Sequence, residues 1–97
     1  MNAFSLSGKI ALVTGGGQNF GAEIASALQE AGARVIVTSR SAEKACNAAR
    51  QLGGDARGMK LELNSEDSIV SLFQRLAAEF GAVDILVNNA GGHSPSA

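Results

Sequence analysis

The chain has 97 residues, 45% of them hydrophobic and only 4% aromatic, with a formal net charge of -1 at pH 7. One domain at most is expected, and a chain this short buries only roughly 60–65% of the surface that its unfolded form exposes. The composition holds no basic footprint for nucleic acid, no polybasic run for a membrane surface, no bilayer-length apolar run and no leader-like layout over Met1 to Leu6, so a cytoplasmic setting is expected.

Lys9 to Thr14 is a short, nearly continuous apolar run that meets Gly15, Gly16 and Gly17 at once, which predicts a strand buried on both faces and ended by a tight turn. Ile24, Ala25, Leu28 and Ala31 then recur at helical spacing, with Gly32 placed to end the helix. The β-branched stretch Val35 to Thr38 predicts a second strand. Ser41 is the expected N-cap of a second helix, whose apolar stripe is read as Ala42, Ala45, Cys46, Ala49 and Leu52, closed by Gly53 and Gly54. On that stripe Cys46 reads as a small buried hydrophobe. The single Cys and single His exclude an internal disulfide and a clustered zinc site, and no metal is expected.

Met59 to Leu63 predicts an outer strand, because Lys60 and Glu62 alternate with apolar residues. Ser65 is expected to cap a third helix, with Glu66 and Asp67 in its positive first turn, an apolar stripe at Ile69, Phe73, Leu76 and Phe80, and Gly81 as its stop. Asp84 to Asn88 predicts a fourth, fully buried strand. The 12 glycines, about 12% against a typical ~7%, sit at the junctions of this β-α-β-α-β-α-β alternation.

Alternation of this kind implies a parallel sheet with helices on both faces. If three strands step outward in one direction and the fourth returns to pair with the first, right-handed crossovers put the third helix on the opposite face from the first two. The expected fold is therefore a doubly wound α/β sheet in the order 3-2-1-4. The switch point between strands one and four places the Gly run and the Asn pair beside a ligand crevice.

The turn Thr14-Gly15-Gly16-Gly17-Gln18-Asn19-Phe20-Gly21 lies between a strand and a helix, where backbone N–H groups and a helix N-terminus can face a pyrophosphate. No Lys-Ser or Lys-Thr follows the glycines, which disfavours an ATP- or GTP-hydrolysing P-loop and leaves a dinucleotide as the better ligand.

With these residues in place, the chain resembles the short-chain dehydrogenase/reductase family. Residues 14–21 align with its Thr-Gly-x-x-x-Gly-x-Gly pattern, and Asn88, Asn89, Ala90 and Gly91 match its Asn-Asn-Ala-Gly in full. The resemblance implies a Rossmann-type fold, with residues 1–97 as the N-terminal part of a single dinucleotide-binding domain, truncated after the fourth strand. One departure is Asn19, which stands where the family has its middle Gly. Asn is the side-chain-bearing residue best able to take a left-handed backbone, so positive φ is expected there.

The resemblance assigns cofactor binding to Gly15, Gly17, Gln18, Asn19, Phe20, Gly21, Ser39, Arg40, Glu62, Leu63, Asn89, Ala90 and Gly91. In the family an acid at the end of strand two bonds the ribose 2′-hydroxyl and marks NAD; here Ser39 and Arg40 stand there, and a guanidinium suits a phosphate. NADP(H) is favoured and NAD(H) remains possible, while the other reading of Arg40 is an exposed cation at a helix start. Glu62 and Leu63 stand where the family holds the adenine edge; without the family, Glu62 reads as a solvated strand residue. Asn88 is as readily structural as ligand-binding, and His93 reads as an incidental loop residue.

The family's later Ser and Tyr-x-x-x-Lys are not among these residues: the sequence has no Tyr, and its last Lys is Lys60. No catalytic residue is therefore assigned. The expected function is the NADP(H)-binding part of an oxidoreductase that interconverts a carbonyl and an alcohol by hydride transfer when complete. The alternative is a non-catalytic nucleotide-binding or partner-completed module, with self-association or a completing C-terminal half expected. A methyltransferase is a weaker reading, opposed by Arg40 and by the Asn-Asn-Ala-Gly run.

Overall fold

Alternation of side chains between two apolar faces organises the molecule, in which a computed structural model describes residues 5–15 and 21–89. In chain order the elements are β1 (Ile10–Thr14), α1 (Gly21–Glu30), β2 (Arg34–Ser39), α2 (Ala42–Leu52), β3 (Arg57–Lys60), α3 (Glu66–Phe80) and β4 (Ile85–Asn88). All strand pairs are parallel, in the order β3-β2-β1-β4, as the doubly wound reading requires.

The two faces carry separate cores. Ala11, Val13, Val35 and Val37 pack with Ala25 of α1 and Ala49 of α2, while Leu28 and Leu52 close the layer. Leu12, Ile36 and Met59, the intervening residues, pack with Leu72 and Leu76 of α3. The first two helices thus share one face and α3 takes the other. Leu12, Ile36 and Leu76 are fully buried, each burial being worth about 1.5–3 kcal/mol.

Local chemistry sets the helix ends. Ser41 Oγ accepts from the Lys44 N–H at 3.2 Å and Ser65 Oγ from the Ser68 N–H at 3.1 Å, each cap holding extended backbone. Gly53 and Gly81 end α2 and α3 with their N–H groups bonded to Ala49 and Ala77 carbonyls.

Four sequence expectations are corrected. Cys46 is exposed: α2 buries Ala45 and Ala49 and half-buries Ala48, which turns position 46 off the apolar stripe. On α3 the buried stripe runs through Leu72 and Leu76, leaving Phe73 41% exposed. The third strand starts two residues earlier than Met59 and ends at Lys60, because pairing stops where β2 stops, with Lys60 opposite Ser39. Finally, β4 is not fully buried. It begins at Ile85, and Leu86 is 59% exposed at the edge of the sheet. Among the described residues no helix is long and apolar enough to cross a membrane.

Candidate cofactor-binding site

Parallel strands deliver all their carboxyl ends to one rim, and most of the sequence-assigned residues among the described ones stand there. Gly15 follows β1, Ser39 and Arg40 close β2, Glu62 follows β3, and Asn88 and Asn89 close β4. The Leu61 N–H donates to the Ser39 carbonyl at 2.8 Å, so the Glu62 segment leaves the sheet beside Ser39 and Arg40.

Gly15 is buried with φ of 67°, a conformation that side chains rarely tolerate, and its N–H donates to the Thr38 carbonyl at 3.0 Å. The chain is thereby turned away from β1 with no Cβ in the path of a ligand approaching the turn. Gly21, buried, opens α1. Gly17, Gln18, Asn19 and Phe20 lie outside the described residues, as do Ala90, Gly91 and His93, and the expected positive φ of Asn19 lies outside them too.

The Asn pair is tied to β1. Thr14 Oγ1, nearly buried, accepts from the Asn89 N–H at 3.0 Å; its hydroxyl stands 3.2 Å from Asn88 Oδ1 and 3.3 Å from the Val87 carbonyl, which share its single proton. Asn89 Nδ2 donates to the Gly15 carbonyl at 3.0 Å. Asn89 therefore holds the glycine turn with its side chain while its own backbone is held by Thr14. This role for Thr14 was not assigned from sequence; its place as the last residue of a buried strand, directly before the glycines, was the available signal.

A cleft of about 280 Å³ opens at this rim, lined by Gly15, Thr38, Ser39, Lys44, Asn47, Ala48 and Gln51. Ser39 Oγ accepts from the Ser41 N–H at 3.3 Å, fixing the turn into α2. Arg40, next in the chain to Ser39, is exposed and has no ion pair among the described residues. Glu62 stands 4.0 Å from Lys60, its N–H donating to Ser68 Oγ at 3.0 Å, and Leu63 is exposed. A positive φ at a buried turn, an open cleft and a guanidinium with no ion pair among the described residues fit an anionic nucleotide. A second cleft, of about 350 Å³, lies at the amino ends of the strands, but its Gln29 amide donates to Gly53 and its Arg34 stacks on Phe80 at 4.6 Å. Its Gln29, Arg34 and Asp55 groups are already engaged with one another or with the fold.

A model of the short chain dehydrogenase family matches residues 9–97. The chain belongs to that family. Among curated short-chain dehydrogenases it is similar to the 3-oxoacyl-[acyl-carrier-protein] reductase FabG of Salmonella typhimurium, 47% identical over 87 residues, covering 90% of this chain and 36% of the relative. It is 46% identical over 91 residues to the D-threitol dehydrogenase of Mycolicibacterium smegmatis, covering 91% of this chain and 35% of that one. Among solved structures, the Pseudomonas aeruginosa RhlG/NADP active-site complex superposes with a TM-score of 0.84 at 47% identity, covering 91% of this chain and 36% of that chain. A metagenomic short-chain oxidoreductase in complex with NADP gives 0.81 at 40% identity, covering 88% and 40%. The chain thus spans little more than a third of the length of the short-chain dehydrogenases it matches.

Proposed function

We propose that residues 1–97 form the N-terminal, NADP(H)-binding part of a single dinucleotide-binding domain in a short-chain oxidoreductase that interconverts a carbonyl and an alcohol. The observation that carries this reading is Arg40, an exposed cation with no ion pair among the described residues, following Ser39 of the cleft at the carboxyl end of β2. A carboxylate there would repel a 2′-phosphate, whereas a guanidinium bonds it with a planar fork. NADP(H)-bound neighbours of similar fold support the same cofactor.

The nicotinamide, when bound, supplies the hydride donor or acceptor. This chain's residues bind and orient. The glycine turn from Gly15 to Gly21, including Gly17, Gln18, Asn19 and Phe20, takes the pyrophosphate; Ser39 and Arg40 take the 2′-substituent; Glu62 and Leu63 take the adenine edge; and Asn89, Ala90 and Gly91 line the ribose side. Substrate choice lies elsewhere. Relatives named for a 3-oxoacyl carrier, D-threitol and trihydroxynaphthalene match this chain at 47%, 46% and 42% identity, so similarity over this part does not follow the substrate.

Calorimetry with NADPH and NADH tests this. A charge-assisted contact is worth about 1.5–3 kcal/mol, so a preference of ~10–100-fold for NADPH is expected, and Arg40→Ala should remove most of it. Tighter NADH binding, or an unchanged ratio in the variant, overturns the assignment.

A partner-completed module is the second reading, favoured by β4, whose outer side has no strand neighbour among the described residues and whose Leu86 is largely exposed. Its occupant is either a second copy or further chain of the same fold.

A further inference from the structure

The cleft at Ser39, the residue before Arg40, is built mainly by one stripe of α2. Lys44, Asn47, Ala48 and Gln51 stand at i, i+3, i+4 and i+7, and with Gly15, Thr38 and Ser39 they enclose its volume of about 280 Å³. Lys44 is exposed, and its ammonium has no ion pair among the described residues; Glu43, the acid of the same helical turn, does not line the cleft. Ser39 Oγ accepts from the Ser41 N–H, which leaves its hydroxyl proton to donate outward.

A phosphate monoester carries about 1.5–2 negative charges at pH 7, more than one guanidinium neutralises. The glycine turn, Gly15 to Gly21, contains neither Lys nor Arg, so it offers no cation to share the load. Among the described residues that line the cleft, Lys44 is the one cation.

We propose that Lys44 is a second specificity-determining residue for the cofactor, its ammonium meeting the 2′-phosphate inside the cleft while Arg40 meets it from the rim. Asn47 and Ser39 supply the neutral donors. The proposal rests on the NADP(H) reading above and deepens it: two cations from one turn of chain, not Arg40 alone, select the phosphorylated ribose.

The test is titration calorimetry of the purified chain with 2′,5′-ADP and with 5′-AMP, which differ only in the phosphate concerned. Lys44→Met keeps a good helix former at an exposed position, and Lys44→Gln serves as a second neutral variant, with far-UV circular dichroism confirming the helix content of both. Expected is a ~5–10-fold loss of 2′,5′-ADP affinity with 5′-AMP affinity held within about twofold, a shallower salt dependence, and retention of most binding by Lys44→Arg. In Lys44→Met combined with Arg40→Ala the two nucleotides should bind alike. An unchanged ratio in both neutral variants, with Arg40→Ala still lowering it, overturns the role of Lys44 and leaves the NADP(H) reading standing. Equal affinity for both nucleotides in the unaltered chain overturns the two together.

Discussion

The backbone N–H of Asn89 donates to Thr14 Oγ1 at 3.0 Å, and the Asn89 side chain returns across the same rim to the Gly15 carbonyl at the same distance. Residues 75 positions apart in the chain are joined at the point where the sheet changes direction. Thr14→Val is nearly isosteric but removes this acceptor from the part-buried Asn89 N–H, and losing a typical hydrogen bond costs about 0.5–1.5 kcal/mol. The variant should melt at lower temperature and lose nucleotide affinity, while Thr14→Ser keeps the oxygen and most of both. Thermal unfolding and NADPH titration of the two variants check this. Equal behaviour of Val and Ser would remove the hydroxyl from the account of the site.

Gly58, in the middle of β3, lies directly under α2: a Cβ built there would run into the Ala45 carbonyl and the Cys46 nitrogen. Those are helix backbone atoms, which cannot swing aside as a flexible side chain could. Gly58→Ala should therefore push α2 off the sheet at a cost of about 1–3 kcal/mol. Urea denaturation should show a lowered midpoint with an unchanged slope. Because Lys44 and Asn47 ride on the displaced helix, nucleotide binding should weaken as well.

What could be read from sequence divides along the range of the interactions involved. Ser41, Ser65, Gly53 and Gly81 were legible because a cap is settled within one helical turn of the residue that makes it. The strand order was legible because two buried strands with a right-handed crossover leave few topologies. Phe73 and Cys46 were misread because each stands one position from the true stripe. At 100° per residue, two overlapping stripes fit the same apolar residues until a partner chooses one. The choice of Leu72 over Phe73 is made by Leu12 and Ile36 across the interface. The start of β3 was hidden because Arg57-Gly58 has poor strand propensity. Its pairing with Ile36 and Val37 of β2 is a tertiary event. At the site, Arg40 and the Asn pair stood out as motif, whereas Lys44 did not, since nothing in the sequence says which face of α2 looks onto Gly15.

The segment after β3 is held by a relay of hydroxyls. The Ser68 N–H donates to Ser65 Oγ at 3.1 Å, and Ser68 Oγ in turn accepts from the Glu62 N–H at 3.0 Å. Ser65→Ala removes a helix cap and should cost about 0.5–2 kcal/mol of stability with little effect on nucleotide selectivity. Ser68→Ala instead releases Glu62. If Glu62 and Leu63 hold the adenine, 5′-AMP and 2′,5′-ADP should then lose affinity in equal proportion, leaving their ratio unchanged. A selective loss of one nucleotide would place the Glu62 segment at the phosphate and not at the base.

Leu86 pairs with Leu12 across the β1–β4 ladder and so faces the same side of the sheet as α3, yet Leu12 is fully buried and Leu86 is 59% exposed. The helix covers the sheet as far as β1 and leaves its neighbour open. Val70, 49% exposed, and Phe73 add apolar surface on α3 itself. An edge strand with no strand partner on its outer side among the described residues, and with an exposed leucine, recruits other chains, and soluble monomers seldom leave such surface uncovered. The purified 97-residue chain is therefore expected to self-associate, with a mass in solution that rises with concentration. Leu86→Lys places a charge on the open face of that edge while leaving the ladder to β1 intact, and should shift the chain toward monomer without altering its helix content. Sedimentation of the two proteins over a hundredfold concentration range separates the outcomes. A monomeric unaltered chain with a cooperative melt would show that β4 is adequately covered, and association unaffected by Leu86→Lys would place the contact on another surface.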